Sequence, residues 1–243
     1  MRIAIISSPR CGNTFLRLCL SKLLNLETNA FHNPEDFPKK FPEKFIFQLH
    51  WGLEEDLKNF LFDENFKIIT LTRNPLDIFI SILRFIKYEK EVEKWLNGNL
   101  QLKQAIFKNY EPNDLQFINW CSSEYAKKIL DVSLKWSNLN KIHSIKYENL
   151  VLNLEKELNG IYKFLNIKHI NYKEAVNIFK KFDINYFKSL PNKHGWKGKI
   201  NNWQTYFNIK NAQTIYDYHS TFFNFFKYEL ELDYKVGEKI TLK

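Results

Sequence analysis

Residues 2–14, RIAIISSPRCGNT, form a short apolar run that stops at a Ser-Ser-Pro sequence and is followed by a glycine. The isoleucine-rich run over 2–7 predicts a buried strand. Residues 13–25 carry apolar side chains at helical spacing, so the segment 8–14 joins a strand to the N-terminus of a helix. The N–H groups of a first helical turn have no intrahelical acceptor, and the helix dipole is positive there. The segment therefore predicts an anion site.

The rest of the chain alternates between apolar runs and stretches of helical periodicity. Further strands are predicted at 44–50, 66–72 and 142–147, and helices at 75–90, 113–131 and 153–165. Such alternation favours parallel pairing, and we expect a three-layer α/β domain whose central parallel sheet is flanked by helices. The chain has no linker-like or repetitive segment, which predicts a single domain over 1–243. A loop or lid is expected at 182–210 and an aromatic helix on the core at 211–228.

The composition indicates a folded protein with excess positive charge. Of 243 residues, 44% are hydrophobic and 16% aromatic, which excludes a disordered chain. Every apolar run is far shorter than the roughly 20 residues of a membrane-spanning helix, and the N-terminus lacks a signal-peptide pattern. Three scattered cysteines fit neither a disulfide framework nor a metal motif, which predicts a cytoplasmic protein. The net charge of +9 alone permits an anionic ligand, a nucleic acid or an acidic surface.

Several side chains of the segment 8–14 suit an anion. Arg10 supplies a cation, Gly12 permits close approach of the backbone, and Thr14 supplies a hydroxyl donor. The segment is not a Walker A motif, because the chain has no GxxxxGK[ST] pattern. An ordinary strand-to-helix turn capped by Ser8 or Asn13 remains an open alternative.

Three other groups of polar residues could contribute to the same chemistry. Arg73 follows a predicted strand and Ser81 comes two helical turns later, so a phosphate beside that helix could contact both. His50 follows another strand and could act as a base at neutral pH. Lys197 and Gly198 belong to a basic segment that could close over a phosphate. Each group also has an ordinary explanation: a solvent-facing cap, a structural histidine and a solvated loop.

Taken in order, these segments resemble the sulfotransferase family, whose enzymes move a sulfuryl group from 3′-phosphoadenosine 5′-phosphosulfate (PAPS) to an acceptor. The motifs that carry the resemblance are SPRCGNTF, QLH, RNPLDIFIS, KYENL and WKGKINNW. They extend over residues 7–207, and the Arg-Asn-Pro-x-Asp-x-x-x-Ser element is the most specific of them. The resemblance implies a P-loop-like phosphate-binding loop after the first strand, PAPS as donor and PAP as product.

The resemblance also implies a role for each matching residue. The loop from Arg10 to Thr14 would wrap the 5′ phosphosulfate, with Arg10 stabilising charge on the bridging oxygen. Arg73 and Ser81 would bind the 3′-phosphate, and His50 matches the catalytic base. Aromatic residues of the set would contact the adenine, and a Lys-Gly pair would close over the 3′-phosphate. The residues implied in donor binding are Arg10, Cys11, Gly12, Asn13, Thr14, Phe15, Arg73, Ser81, Tyr147, Phe187, Lys197 and Gly198.

Five positions depart from the family's usual pattern. Cys11 replaces a serine and Asn13 a threonine, both tolerable because backbone N–H groups do most of the binding. Gln48 stands where cytosolic members often have a lysine, which removes one cation near the transferred group. Trp196 stands where arginine is common, and Asn201 replaces the second glycine of its loop.

The implied reaction is an in-line transfer without a metal, to a hydroxyl or amine of a small-molecule or carbohydrate acceptor. Aromatic residues between 84 and 120 either line the acceptor side or belong to the core; among them are Tyr88, Trp95, Phe107, Tyr110 and Trp120. Two of only five arginines, Arg10 and Arg73, fall at implied phosphate contacts. The positive charge is therefore interpreted as a background around one anionic donor rather than as a nucleic-acid surface.

Two other functions fit parts of the sequence. Cys11 and Arg17 have the Cys-x5-Arg spacing of tyrosine phosphatases, in which a thiolate attacks phosphorus and the arginine grips the oxygens. Leu18 stands where that family has Ser or Thr, and this reading leaves His50 and Arg73 unexplained. A non-catalytic basic module that binds nucleotides by charge and stacking is the other alternative.

Overall fold

The structure is a computed structural model that describes residues 1–88, 109–168, 171–182, 184–189, 198–231 and 233. Its strands are β1 (Arg2–Ile6), β2 (Glu27–Ala30), β3 (Phe45–Leu49), β4 (Phe66–Thr72) and β5 (Ile142–Lys146). Its α-helices are α1 (Asn13–Leu24), α2 (Glu55–Asp63), α3 (Pro75–Tyr88), α4 (Leu115–Cys121), α5 (Glu124–Ser137), α6 (Tyr147–Leu152), α7 (Leu154–Phe164), α8 (Tyr172–Lys181), α9 (Ile184–Ser189), α10 (Ile209–Tyr218) and α11 (Ser220–Phe226).

The five strands form one sheet in the order β2-β3-β1-β4-β5, and every neighbouring pair is parallel. This confirms the predicted α/β fold with a central parallel sheet flanked by helices. Four strands coincide with the predicted ones to within one or two residues. The fifth, β2, was not predicted, because its sequence Glu-Thr-Asn-Ala is polar and all four residues are exposed. Its place is set by pairing with β3 at the edge of the sheet.

The chain divides into two compact units. The first comprises Met1–Thr72 and Val132–Trp196 and contains the whole sheet, and the second comprises Arg73–Asp131 and Lys197–Lys243. The single domain expected over 1–243 stays a prediction.

The two faces of the sheet bury different sets of side chains in the first unit. Successive strand residues point to opposite faces. One face carries a phenylalanine-rich cluster, in which residues of β1, β3 and β4 pack with Leu57 and Leu61 of α2 and with Trp136. The other face carries α1, whose Arg17 donates a hydrogen bond to the Gln48 side chain of β3. Polar residues therefore lie at the carboxyl ends of the strands, outside the core. Ligands bind at this end of open α/β sheets.

The second unit is helical. Its helix α3 begins with Pro75, which suits a first helical position because its missing N–H needs no acceptor there. The last two residues of the helix predicted at 75–90 lie outside the described residues. The prediction of one helix over 113–131 was wrong, because the structure has α4 and α5 there. Ser123 separates them: its hydroxyl donates to the carbonyl of Trp120 at 2.6 Å and accepts the N–H of Ala126 at 3.4 Å.

The C-terminal aromatic segment is also helical, as predicted, but it forms the two helices α10 and α11. His219 lies between them, and its backbone N–H donates to the carbonyl of Ile215. Across the described ranges, no helix is both long and apolar enough to cross a membrane.

Candidate active site

The segment between β1 and α1 has an unusual backbone. Arg10 and Gly12 both take positive φ angles, 66° and 91°. Left-handed residues of this kind let neighbouring N–H groups converge into anion-binding concavities. Gly12 is the N-cap of α1, and no side chain of the described residues caps the helix there. A helix N-terminus of this kind suits an anion, and the anion site itself stays a prediction.

Both the φ angle and the neighbouring side chain at position 12 require a glycine. A Cβ atom at this position would lie 2.7 Å from Cδ2 and 3.0 Å from Cε2 of Tyr147. Tyr147 is the first residue of α6, directly after β5, and its side chain is buried. The structure thus places Tyr147, which the family resemblance assigns to the adenine edge, against the backbone of the segment 8–14, named here the anion loop after its predicted role. Nothing local in the sequence signals this contact.

Buried side chains hold the loop in place. The hydroxyl of Ser7 donates to the side-chain oxygen of Asn13, and the Asn13 amide donates to the carbonyl of Ser8 at 2.9 Å. The N–H of Ser8 donates to the hydroxyl of Ser133 at 2.8 Å, and that hydroxyl donates to the carbonyl of Leu71 at 2.6 Å. The Asn13 side chain therefore supports the loop, and its backbone N–H belongs to the first turn of α1. Ser133, in the middle of α5, was missed by the sequence analysis.

His50 directly follows β3, and its Nδ1 lies 2.8 Å from the backbone oxygen of Ser7. A carbonyl oxygen can only accept, so Nδ1 carries the proton and Nε2 keeps its lone pair. The pKa of His50 is lowered to about 4, mainly by burial; the hydrogen bond to Ser7 raises it, and Coulombic interactions with His32 and Arg10 lower it. The imidazole is therefore neutral near pH 7 and suited to accept a proton at Nε2.

An aromatic cluster forms beside the start of α1. The ring of Phe15 meets that of Phe179 edge-to-face, with centroids 5.4 Å apart, and that of Phe187 at 6.2 Å. The structure thus brings together the two phenylalanines that the sequence assigns to the adenine. Phe179 completes the cluster. The sequence analysis missed it, because an ordinary core residue would occupy the same apolar side of α8.

In the second unit, a network joins the start of α3 to the segment 198–203. Arg73 donates from Nη2 to the carbonyl of Lys199 at 3.0 Å, and the same nitrogen lies 3.7 Å from Oδ2 of Asp77. Oδ1 of Asp77 accepts the backbone N–H of Trp203 at 2.9 Å. Arg73, Asp77 and the predicted site residue Ser81 are all buried. Asp77 therefore holds both Arg73 and the later segment.

Two residues of the segment 198–203 have a left-handed backbone conformation. Gly198 has a φ angle of 61°, and Asn201 has one of 54°. Asparagine is one of the few residues that tolerate the left-handed region. The replacement of the family's glycine by Asn201 therefore leaves a left-handed residue in place.

The protein-family sequence model of the sulfotransferase domain matches residues 26–224 of the chain. The chain belongs to the sulfotransferase family. Similar solved structures include a mouse sulfotransferase, SULT7A1, complexed with PAP; it is 18% identical, the alignment covers 91% of this chain and 83% of that one, and the TM-score is 0.66. Retinol dehydratase, solved with androsterone and PAP, is 11% identical over 92% of this chain and 81% of that one, with a TM-score of 0.60. No curated protein sequence matches the chain.

Family membership confirms the prediction of a sulfotransferase, and the similar structures share its fold. The match begins at residue 26, so the anion loop of this sulfotransferase lies before the matched range. Lys197, which is predicted to contribute to phosphate binding, lies outside the described residues, and so does its neighbour Trp196, which departs from the family pattern. So do Trp95 and Phe107 of the segment 84–120. Trp120 of the same segment packs in the core of the second unit, stacked on Phe117 with centroids 5.9 Å apart.

The phosphatase alternative finds no support in the geometry around Cys11. Its side chain is fully buried, and its Sγ lies 3.7 Å from the carbonyl oxygen of Pro9. Arg17 donates to Gln48 and Thr28, on β3 and β2, instead of framing the thiol. Within the described ranges, no three His, Cys, Asp or Glu side chains group together as they would around a metal ion.

Proposed function

We propose that this sulfotransferase moves a sulfuryl group from PAPS to a hydroxyl or amine of a small-molecule or carbohydrate acceptor, with His50 as the general base. The observation that carries the proposal is the hydrogen bond from His50 to Ser7, the residue at which the anion loop begins. It ties a neutral base directly to a loop with left-handed residues and an uncapped helix N-terminus. This hydrogen bond would hold the proposed base beside the proposed anion site.

The described residues fit a donor with several negative charges. Arg10, Cys11, Gly12, Asn13 and Thr14 would hold the 5′ phosphosulfate through backbone N–H groups, the Thr14 hydroxyl and the Arg10 guanidinium. On the side of Gly12 where a Cβ would project, the backbone packs against the Tyr147 ring, which would hold the loop in place for the ligand. PAP in the similar sulfotransferase structures supports the same donor here.

Other residues would bind the remaining parts of the donor. Phe15 and Phe187, supported by Phe179, would contact the adenine, with Tyr147 at its edge. The 3′-phosphate would be held by Arg73, Ser81, Lys197 and Gly198. Arg73 offers the planar guanidinium that matches phosphate geometry.

The mechanism follows from these roles. Nε2 of His50 would take the proton of the acceptor as the acceptor oxygen or nitrogen forms a bond to sulfur. The bond from sulfur to the bridging oxygen breaks, and Arg10 with the N-terminus of α1 stabilises the charge that develops on PAP. Because the transition state spreads negative charge over the oxygens, positioning and cationic stabilisation would supply most of the acceleration, as in phosphoryl transfer. A general base contributes about 10²–10⁴-fold.

We also propose a cytoplasmic location, because none of the three cysteines forms a disulfide and all are buried.

Thermal unfolding with PAP tests the proposed donor. A ligand at about 100 times its dissociation constant stabilises the native state by about 2.7 kcal/mol, which raises the Tm of a protein of this size by several degrees. Labelled PAPS then reports transfer to an acceptor panel. Absence of a shift at millimolar PAP would remove the main support for the proposal.

A further inference from the structure

Arg17 is a charged residue of the first unit that the proposed reaction does not use. It lies in the second turn of α1 and points to the sheet. Its Nε donates to the side-chain oxygen of Gln48 at 3.0 Å, and its Nη1 donates to the hydroxyl of Thr28 at 2.6 Å. Two neutral side chains from two neighbouring strands thus fix the plane of the guanidinium.

The strand register places this guanidinium near His50. In the parallel ladder Ala30 pairs with Gln48, and the ladder continues beyond the strands, since the N–H of Phe31 donates to the carbonyl of Gln48 at 3.0 Å. Gln48 and His50 are two residues apart, about 7 Å along the chain, and an extended chain points both side chains to the same face. The strand neighbour of Gln48 is Ala30, whose side chain is small.

His32 lies two residues beyond the end of β2, the strand that pairs with β3. The charged form of this imidazole would oppose protonation of His50, and it is one of the causes that lower the pKa of His50.

The charge of Arg17 has no counter-ion in the described part of the chain. Its two hydrogen-bond partners are neutral, and none of the described carboxylates forms an ion pair with it. Burial lowers the pKa of Arg17 to about 10. A partly desolvated guanidinium without an anion is unfavourable, and binding an anion relieves that cost. The contact with Thr28 is solvent-exposed, so a ligand can reach the group.

We propose that Arg17 binds the acceptor: it pairs with a carboxylate, sulfate or phosphate group of the acceptor, while the hydroxyl of the same molecule reaches Nε2 of His50. The order of the strands in the sheet favours the acceptor over the donor as the ligand of Arg17. β3, which carries Gln48 and leads to His50, lies between β2 and β1. The anion loop follows β1, whereas Arg17 is held over β2 and β3. The acceptor of this enzyme is therefore an anionic molecule. This inference rests on the proposed function.

Calorimetric titration of PAP-saturated protein tests the inference, because PAP fills the donor site. The probes are 4-hydroxybenzoate and its neutral methyl ester. Wild type is expected to bind the acid at least tenfold more tightly than the ester. Arg17→Met should lose that preference, and Arg17→Lys should keep part of it. Lys22→Met removes an exposed charge from the same helix and serves as the matched control, with wild-type preference expected.

Three results would overturn the inference. The first is equal or undetectable binding of the acid and the ester by wild type. The second is an unchanged preference in Arg17→Met. The third is a smaller thermal shift with PAPS but not with PAP in Arg17→Met, which would assign Arg17 to the transferred sulfuryl group. A PAP shift retained in Arg17→Met shows that the variant is folded. If PAP did not raise the Tm of the wild type, that result would instead count against the proposed function.

Discussion

The imidazole of His50 donates its Nδ1 proton to the backbone carbonyl of Ser7 across 2.8 Å. This one contact fixes the tautomer of the base and ties the end of β3 to the beginning of the anion loop after β1. It also makes the chemistry of His50 depend on burial, since desolvation is the main reason that its pKa falls to about 4.

The first prediction concerns the pH dependence of activity and stability. A general base must be deprotonated, so the acid limb of kcat/KM should fall near pH 4 to 5 instead of near 6.5. The folded pKa lies below the ordinary value of 6.5, so the unfolded chain binds more protons in this range. The contribution of His50 to stability is therefore complete above pH 6.5 and is lost as the pH falls through 4.

Urea unfolding between pH 4 and 7 measures the stability part of this prediction. In His50→Gln, which cannot titrate there, the fall in unfolding free energy over that range should be smaller than in wild type. Equal falls in the two proteins would contradict the assigned shift.

The second prediction separates donor binding from chemistry. Arg73→Ala should abolish most of the PAP-induced thermal shift, because it removes the guanidinium proposed for the 3′-phosphate. His50→Ala should keep that shift while turnover of PAPS falls by about 10²–10⁴-fold. Arg73→Lys keeps the charge but not the planar fork, and should give an intermediate shift. If His50→Ala abolished PAP binding, or if Arg73→Ala left it intact, the two roles would be wrongly assigned.

The third prediction concerns Gly12. Alanine at this position needs a strained left-handed backbone and brings a Cβ within 2.7 Å of the Tyr147 ring. Gly12→Ala should destabilise the protein by about 1–3 kcal/mol and weaken PAP binding. Adding Tyr147→Ala should give Gly12→Ala a smaller penalty than it has in the wild-type background, because it removes the clash and leaves only the backbone strain.

Gly52 provides the control for that experiment. It is exposed, and nothing lies within 4 Å of a Cβ built on it. Gly52→Ala should leave both the unfolding free energy and the PAP shift close to wild type. Similar penalties for the two glycine substitutions, measured by urea unfolding, would show that neither the left-handed backbone nor Tyr147 constrains position 12.

The sequence predicted the elements whose pattern is local. β4 and the start of α3 were placed correctly, because a seven-residue apolar run ends at Thr72 and Pro75 begins the helix. β2 could not be predicted, because an exposed polar edge strand carries no pattern of its own and is set by its partner. The break at Ser123 was missed for a related reason: one hydroxyl redirects two backbone groups without interrupting the helical periodicity.

The candidate site shows the same contrast between residues with a local sequence pattern and residues placed by distant contacts. Loop residues such as Gly12 were recognised from their position after a strand and before a helix. Their supports were not, because Tyr147 and Ser133 reach the loop from the far part of the chain. The special backbone of Arg10 also had no signal, since arginine rarely takes a positive φ.

The fourth prediction tests the remaining catalytic alternative. A phosphatase that uses Cys11 as nucleophile would lose all activity in Cys11→Ser. In the proposed sulfotransferase the loop binds through backbone N–H groups, so Cys11→Ser should keep PAP binding and PAPS turnover within about threefold of wild type. Hydrolysis of an aryl phosphate by wild type, abolished in Cys11→Ser, would favour the phosphatase instead.

The last prediction concerns Asp77, which contacts no proposed ligand. Its Oδ1 accepts the N–H of Trp203, and its Oδ2 lies 3.7 Å from the Arg73 guanidinium. Asp77→Ala leaves a buried N–H without its acceptor and should destabilise the protein by about 1–3 kcal/mol. Asp77→Asn is the matched variant, because its amide oxygen can still accept from Trp203 while the negative charge beside Arg73 is lost.

The two variants should therefore separate by unfolding free energy, measured in urea. Asp77→Asn should be the more stable and should keep more of the PAP shift, because the segment that includes Lys199 and Trp203 stays attached to α3. Equal losses in both variants would show that the charge beside Arg73, and not the hydrogen bond to Trp203, is what holds this segment. A wild-type PAP shift in Asp77→Ala would show that the arrangement of Arg73 and Lys199 does not depend on Asp77.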